Sequence, residues 1–202
     1  HDNIHQQFLG DSILEIAAEK AGIIKPRVPV IVGKQIQEVQ EKICSIGKNL
    51  NSTISLFGRD WSSKKFKNSM IYEDNDGIIQ FPLPKLEGLH QIENAGIAVR
   101  ALKNLKVKET VFTKCLKTVN WPARLQKLVT GPMVEQVKIL SYGAELWIDG
   151  GHNQAAARAL VPFLNQPFNG TSHIIFGMLN SKDLESFISE ISSFVESIGC
   201  VS

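Results

Sequence analysis

Residues 144 to 160 join two segments of opposite character within a few positions. The apolar run at 146–148 is followed by a polar stretch with two glycines, DGGHN at 149–153, and an alanine-rich helical pattern begins at residue 154. A strand, a tight turn and a helix in this order are typical of the units that build parallel sheets with covering helices. This junction therefore predicts an α/β fold.

The periodicity of the remaining chain predicts further helices and strands. Helices are expected from the N-cap Ser12 to the C-cap Gly22, and at 35–48, 94–105, 108–118, 154–164 and 183–196. Strands are expected at 28–33, 54–57, 70–72, 78–81, 134–141, 144–149 and 172–177. The alternation after residue 126 predicts a parallel sheet, whereas the basic stretch SSKKFK at 62–67 is expected to be a solvated loop.

A proline in NWPARLQ, residues 120–126, marks the expected domain boundary. The residue before a proline disfavours the helical conformation, so the preceding helix must end there. We expect one domain over residues 1–123 and a second over residues 124–202.

Composition excludes several classes of protein. The chain has 43% hydrophobic and 21% charged residues, as in ordinary globular domains. A formal net charge of +2 gives no electrostatic basis for nucleic-acid binding. Three widely spaced cysteines without a CxxC pattern predict a reducing, cytoplasmic location, and no apolar run of membrane-spanning length occurs. We therefore expect neither a nucleic-acid nor a membrane partner.

The DGGHN stretch has two readings. Asp149 would follow a strand at the edge where open α/β sheets bind ligands, and the helix start behind it could receive a phosphate. Alternatively, Asp149 and Asn153 only stabilise a turn and cap a helix. The residues alone favour neither reading. The glycines do not form GxGxxG, which argues against a nicotinamide-dependent dehydrogenase.

Three weaker signals lie elsewhere in the sequence. Lys20, in EKAGI, falls on the apolar side of its predicted helix, where it either extends its ammonium group to water or is desolvated and chemically reactive. His90, Gln91 and Asn94 lead into a helix and could cap it or contact a ligand. Arg124, at the expected boundary, could pair with a carboxylate or bind a phosphate.

Five segments in a fixed order give these signals a common meaning. They are HQQFLGDSILEIAAEKAGI, GLHQIENA, WPARLQ, IDGGHNQAAARAL and IIFGMLNSKD. Together they resemble the folylpolyglutamate synthase/dihydrofolate synthase family of Mur-type ligases, over nearly the whole chain. The resemblance implies part of a P-loop-type central ATPase domain followed by the start of a Rossmann-like C-terminal domain. It also implies ATP-dependent ligation of L-glutamate to dihydropteroate or a folate through an acyl phosphate, by a full-length monomer.

The resemblance also implies roles for residues of the first domain. Lys20 matches a carbamylated lysine that helps to hold Mg²⁺, and an apolar surrounding would keep its amine neutral enough to capture carbon dioxide. His5 matches a histidine of a magnesium site, with His1 as the alternative. Asn94, His90 and Gln91 match the segment that faces the adenine of ATP.

In the second domain the resemblance assigns Arg124 to the ATP phosphates, reached across the domain junction. Asp149 matches the ribose-binding aspartate, and His152 and Asn153 match residues near the reacting groups. Lys20, His152 and Arg124 are therefore the expected catalytic residues.

This sequence departs from the family's pattern at four positions. Ile4 precedes His5 where the family usually has aspartate, which leaves His1 as the alternative histidine. Ala123 replaces a glycine, which we expect to have little effect, and Gly151 replaces an alanine. Gln154 replaces a proline, which should relax the helix start slightly.

The phosphate-binding loop of the family, which ends in Gly-Lys-Ser/Thr, does not occur in the 202 residues. We therefore expect the chain to be a segment of a longer ligase that does not turn over ATP by itself. The alternative expectation is a truncated or degenerate relative that serves only as a nucleotide-binding or scaffold module.

Overall fold

The computed structural model describes residues 12–167, 170–179 and 182–201. His1 and His5, the expected metal-site histidines, lie outside these ranges. The described chain forms two compact units, the first from residues 12–84 and 89–118 and the second from residues 85–88 and 119–201. This division precedes the boundary expected between residues 123 and 124 by a few residues.

The first unit contains four helices and five strands among its described residues. In chain order they are α1 (Ile13–Ala21), β1 (Val30–Val32), α2 (Gln37–Asn49), β2 (Ile54–Leu56), β3 (Trp61–Phe66), β4 (Ser69–Asp74), β5 (Gly77–Pro82), α3 (His90–Asn104) and α4 (Glu109–Thr118). Strands β1 and β2 pair in parallel, whereas β3, β4 and β5 form an antiparallel sheet.

Local sequence explains how α1 begins. The Ser12 side chain accepts a hydrogen bond from the Glu15 backbone N–H at 3.2 Å, and the Glu15 carboxylate accepts one from the Ser12 backbone N–H at 3.0 Å. This reciprocal capping satisfies two N–H groups that the first turn leaves without helical partners. The predicted helix from Ser12 to Gly22 is confirmed.

A buried carboxylate joins the antiparallel sheet to α3. The side chain of Asp74, at the end of β4, is only 1% exposed. It accepts hydrogen bonds from Lys103 at 2.6 Å and from the Tyr72 hydroxyl at 3.1 Å, and Arg100 lies 3.4 Å away. Arg100 also donates to the Ser55 hydroxyl at 2.7 Å. These bonds fix α3 against the strands around the main core of this unit, formed by Trp61, Met70, Tyr72, Phe81, Ile92, Ala95, Val99, Phe112 and Leu116.

The second unit contains three α-helices, one short 3₁₀ segment and four strands among its described residues. They are β6 (Gln126–Leu128), α5 (Pro132–Leu140), β7 (Leu146–Ile148), α6 (Gln154–Leu164), β8 (His173–Phe176), α7 (Leu184–Ile191), the 3₁₀ turn Ser192–Phe194 and β9 (Ser197–Cys200). Strands β8 and β9 pair in parallel, but β6 and β7 are antiparallel. The expected parallel arrangement therefore holds for one of the two pairs.

Two expectations of secondary structure are wrong. Residues 134–141 were expected to form a strand, but α5 occupies this region, because Pro132 suits the first helical turn and Val134 is buried one turn before Val137. The stretch SSKKFK lies mainly in β3, where buried Trp61 and Ser63 alternate with more exposed neighbours. Its lysines are exposed as expected, but on a strand rather than in a loop.

Two helices differ from their expected bounds. Helix α3 begins at His90, four residues earlier than expected, so Gln91 and Asn94 lie within the helix rather than before it. The helix expected to reach residue 196 ends at Ile191, and β9 follows.

Candidate functional site

Arg124 lies in a tight turn that is bonded to the DGGHN loop. The Gly150 N–H donates to the Ala123 carbonyl at 2.9 Å, and the Leu125 N–H donates to Asp149 Oδ2 at 2.7 Å. The bonded groups therefore belong to the residues on either side of Arg124. Its side chain is exposed, and among the described residues its guanidinium has no hydrogen-bond or ion-pair partner. This arrangement leaves a cation available for an anion beside the loop.

Asp149 links the two segments. Its Oδ1 accepts from the Gly151 N–H at 2.7 Å, while Oδ2 accepts from Leu125. The turn-stabilising role considered from the sequence is therefore present in the structure. A carboxylate has about four acceptor positions, so two backbone donors leave capacity for a ligand hydroxyl.

The backbone on both sides of Arg124 is left-handed. Ala123 has φ 54° and Leu125 has φ 45°. This conformation costs a non-glycine residue about 1–2 kcal/mol. The family pattern has glycine at position 123. Alanine in place of that glycine carries a conformational cost, which corrects the expectation that this difference has little effect.

His152 and Asn153 lie between the Asp149 turn and helix α6. Nδ1 of the exposed His152 lies 3.1 Å from the Gly150 carbonyl oxygen, so a proton on Nδ1 would be donated there and Nε2 would remain for a ligand. The Asn153 Oδ1 accepts from the Ala156 N–H at 2.8 Å and thus caps α6. The amide nitrogen of Asn153 is not used in this cap and remains a possible donor.

Gln154, where the family pattern has proline, is attached to the neighbouring helix. Its Nε2 donates to Glu190 Oε1 at 2.9 Å, and Arg158 donates to the same oxygen at 2.9 Å. This bond ties the first turn of α6 to α7, which compensates for the lost restraint of a proline.

Gly151 is closely packed. A Cβ atom built on it would lie 2.8 Å from Asp149 Oδ1 and 2.9 Å from the Ala156 Cβ. The alanine of the family pattern would therefore require the loop to shift, which accounts physically for glycine in this chain.

In the first unit, the expected adenine-facing residues form a short chain of contacts at the start of α3. Gln91 is buried, and its Nε2 lies 2.9 Å from His90 Nε2, while Asn94 donates to Gln91 Oε1 at 3.1 Å. His90 and Asn94 are exposed. Gln91 therefore holds both exposed side chains in place, and these are the groups that could contact a ligand.

Lys20 differs from its expected environment. It lies in the last turn of α1 and is exposed, whereas the buried positions of this helix are Ala17 and Ala21. Of the two readings drawn from the sequence, the structure agrees with the one in which Lys20 extends its ammonium group to water, and it does not show the desolvated environment. The position of Lys20 in the last turn is still favourable for a cation, because the C-terminus of a helix carries partial negative charge.

The residues described give no support for a magnesium site of protein carboxylates and histidines. No group of three or more His, Cys, Asp or Glu side chains within them could hold a metal ion. An unmodified lysine amine is not a ligand of the oxygen type that Mg²⁺ prefers. Nor does any helix in the described ranges have the length and apolar character needed to cross a bilayer.

Sequence reasoning did not assign a role to Gln126. Its Oε1 accepts a hydrogen bond from the Ala123 N–H at 3.0 Å. This bond restrains the residue before Arg124, whereas the bond to Asp149 restrains the residue after it. The presence of Gln126 within the WPARLQ motif, two positions after the arginine, was the available signal.

The chain is similar to several known proteins. A search of protein-family models found no match. The folylpolyglutamate synthase of Lacticaseibacillus casei is 31% identical over 191 residues, covering 89% of this chain and 42% of the relative. The dihydrofolate synthetase of Saccharomyces cerevisiae is 28% identical over 197 residues, covering 91% of this chain and 43% of that protein.

Solved structures give the same result. E. coli FolC in complex with ADP matches 98% of this chain and 44% of its own, with a TM-score of 0.81 and 25% identity. A folylpolyglutamate synthase complex with AMPPCP and folate matches 98% of this chain and 48% of its own, with a TM-score of 0.76 and 27% identity. The fold is thus the α/β fold of Mur-type ligases, as predicted.

The chain is related to the folylpolyglutamate synthase/dihydrofolate synthase family, which confirms the resemblance drawn from its five motifs. It spans less than half the length of the relatives described above.

Proposed function

We propose that this chain provides part of an ATP-dependent ligase that joins L-glutamate to dihydropteroate or to a folate. The observation that carries the proposal is the Arg124 turn, which is hydrogen-bonded to the Asp149 loop and carries an exposed guanidinium. Similarity to folylpolyglutamate and dihydrofolate synthases over both units supports the reaction class.

The reaction requires a carboxylate to become an acyl donor. ATP transfers its γ-phosphoryl group to the carboxylate of the pterin substrate, which yields ADP and an acyl phosphate. The glutamate amine then attacks the acyl carbon, and the C–O bond breaks with loss of inorganic phosphate and a proton. A guanidinium at the transferring phosphoryl group stabilises the charge that develops there.

We assign the residues of the second unit by their available groups. Arg124 binds the ATP phosphates with its unpaired guanidinium, and Asp149 accepts from the ribose with the capacity left by its two backbone bonds. His152 Nε2 and the Asn153 amide lie near the reacting groups. The exposed positions of Arg124 and His152 support these roles.

In the first unit, His90 and Asn94 are proposed to contact the adenine, with Gln91 holding them. Lys20, once carbamylated, would offer carboxylate-like oxygens of the kind that Mg²⁺ binds, and its exposed amine is open to carbon dioxide. His5 is proposed as a further ligand of the same ion. Mg²⁺ would supply charge neutralisation of the phosphates.

We also propose a cytoplasmic, monomeric ligase whose partners are its small-molecule substrates. All three cysteines are free, which fits a reducing compartment.

Phosphate release by the protein from the complete reading frame that contains this chain tests the proposal. We expect release only when the pterin substrate, glutamate, ATP and Mg²⁺ are all present. Equal release without glutamate would exclude a glutamate ligase, and ATP binding without any ligation would indicate the nucleotide-binding module instead.

The same assay tests Lys20. Lys20→Ala is expected to lose most activity and to regain part of it when short carboxylates, which resemble a carbamate, are added. Full activity without the additive would remove Lys20 from the mechanism. Lys25→Ala is a suitable control because Lys25 is an exposed lysine just beyond α1.

A further inference from the structure

We propose that Gln126 is a positioning residue for Arg124: it holds the turn that carries the guanidinium and thereby sets the affinity for the ATP phosphates. The inference rests on the proposed function, because it takes the ATP phosphates to be the anion that Arg124 binds.

The hydrogen bond of Gln126 spans Arg124. Its Oε1 accepts from the N–H of Ala123, three residues earlier, at 3.0 Å. The Gln126 backbone is itself fixed, because it is the first residue of β6 and pairs with Ile148 of β7. The half-buried side chain therefore extends from a fixed strand back to the residue before Arg124.

The turn needs such a restraint because it is conformationally unfavourable. Ala123 and Leu125 are both left-handed, a region that non-glycine residues rarely adopt. On the other side of Arg124, Leu125 is anchored by its bond to Asp149 and by burial, since the residue is only 7% exposed. At Ala123 the carbonyl is bonded to Gly150, but the N–H has Gln126 as its acceptor.

Loss of the Gln126 oxygen would affect Arg124 more than the rest of the unit. The Ala123 N–H could then bond to water, and its backbone could return to negative φ, which relieves steric strain. Such a change rotates the peptide that precedes Arg124, so the guanidinium would occupy a wider range of positions. Precise placement of a binding group is sensitive to shifts of this kind.

A purely structural role makes a different prediction. If Gln126 only stabilises the start of β6, its loss should lower the melting temperature without a specific effect on ATP. Loss of affinity that depends on the presence of Arg124 distinguishes the two roles, because a double-mutant cycle isolates the coupling between two residues.

The test uses the protein from the complete reading frame and measures ATP affinity by calorimetry, with Mg²⁺ but without pterin or glutamate. Gln126→Met keeps the length of the side chain and removes the acceptor oxygen. We expect Gln126→Met to weaken ATP binding about tenfold. Arg124→Ala should weaken it by at least the same factor, because it removes the guanidinium itself. The double variant should bind no more weakly than Arg124→Ala alone.

Gln136→Met, on the exposed surface of α5, is the matched control and should leave ATP affinity unchanged. If Gln126→Met does not fold, Gln126→Ala takes its place in the cycle. Unchanged ATP affinity in a folded Gln126 variant would overturn the inference. Additive effects of the Gln126 and Arg124 substitutions on ATP affinity in the double variant would also overturn it.

The proposed function fails separately. An unmodified protein that does not bind ATP would overturn both proposals. If it binds ATP with an affinity that Arg124→Ala leaves unchanged, the assignment of Arg124 is wrong, and an effect of Gln126→Met would then have another origin.

Discussion

Asp149 has the turn-stabilising role that the sequence presented as one of two alternatives, and its geometry also suits the proposed ligand contact. Its two oxygens accept from Gly151 and Leu125, so the carboxylate fixes both its own loop and the Arg124 turn. A ligand hydroxyl would meet a carboxylate that is already oriented, and little conformational freedom would be lost on binding. The structural role of Asp149 therefore supports the proposed ribose contact rather than competing with it.

Ala123 allows the cost of the turn to be measured. Ala123→Gly removes the steric penalty of φ 54° but increases the entropy of the unfolded chain. With a penalty of about 1–2 kcal/mol and an entropic term of about 0.4–1 kcal/mol, the variant should be stabilised by roughly 0.5–1 kcal/mol. Urea unfolding measures this difference.

The matched control for Ala123→Gly is an alanine in ordinary helical conformation. Ala98→Gly, at an exposed position in the middle of α3, should destabilise the protein by about 0.5–1 kcal/mol. Equal destabilisation by both substitutions would mean that Ala123 is not left-handed in solution.

At the scale of elements, a capping signal predicted structure better than short apolar patterns did. Ser12 and Glu15 give the start of α1 correctly, because the cap depends only on neighbours in sequence. The run from Val134 to Leu140 is apolar enough for either a strand or a helix, and the helix begins at Pro132, after Gly131. Strand β3 was missed because its exposed lysines conceal the alternation of Trp61 and Ser63.

The link between β4 and α3 predicts how stability depends on pH. Burial raises the pKa of Asp74, but hydrogen bonds from Lys103 and the Asp76 backbone outweigh it and hold the pKa below its usual value. A carboxyl group whose pKa is lowered on folding stabilises the protein above its unfolded pKa, about 3.9. This contribution should be lost as the pH falls below about 4 through the folded pKa.

Asp74→Asn tests this link. At pH 7 it should reduce the free energy of unfolding by about 3 kcal/mol, because Lys103 and Arg100 lose a buried partner. Urea unfolding between pH 3 and 7 should also show a weaker acid dependence than in the unmodified protein. Glu73→Gln, at the exposed neighbouring position, should change neither quantity. An unchanged acid dependence in Asp74→Asn would assign the effect to other carboxylates.

For Lys103 the sign is reversed. Burial lowers its pKa, but hydrogen bonds to Asp74 and Asp76 more than compensate and raise it. Its stabilising contribution is thus complete below the unfolded pKa of about 10.4 and is lost as the pH rises through the folded value. The same ion pair therefore supports the first unit over the whole neutral range.

Across the whole molecule, the family could be predicted because each of its motifs is a short continuous segment. The bonds between segments could not. Nothing in the sequence pairs Gln154 with Glu190, 36 residues later, or gives Leu125 to Asp149 as a donor. Such contacts depend on how distant elements pack, as does the exposure of the Lys20 and Arg124 side chains.

Each unit has its own core, and this predicts where the effects of core substitutions will appear. Phe112 is 1% exposed in the cluster of the first unit, and Phe187 is 3% exposed in that of the second, where it packs on Phe176. Truncation of a buried phenylalanine to alanine costs about 3–5 kcal/mol. Phe112→Ala should therefore accelerate hydrogen exchange of the amides in β3–β5, and Phe187→Ala that of the amides in α6 and α7.

Phe66→Ala is the control for these substitutions, because Phe66 is 51% exposed on β3 and its loss should change stability by only about 0.5 kcal/mol. Hydrogen exchange followed by mass spectrometry resolves the two sets of peptides in one experiment. If Phe112→Ala accelerates exchange in α6 and α7 as much as in β3–β5, the two cores unfold together. Protection lost only in the substituted unit would instead mean that a destabilised core in one unit leaves the hydrogen bonds of the other unit intact. In Phe112→Ala, the bonds between the Arg124 turn and the Asp149 loop would then persist, because they lie in the second unit.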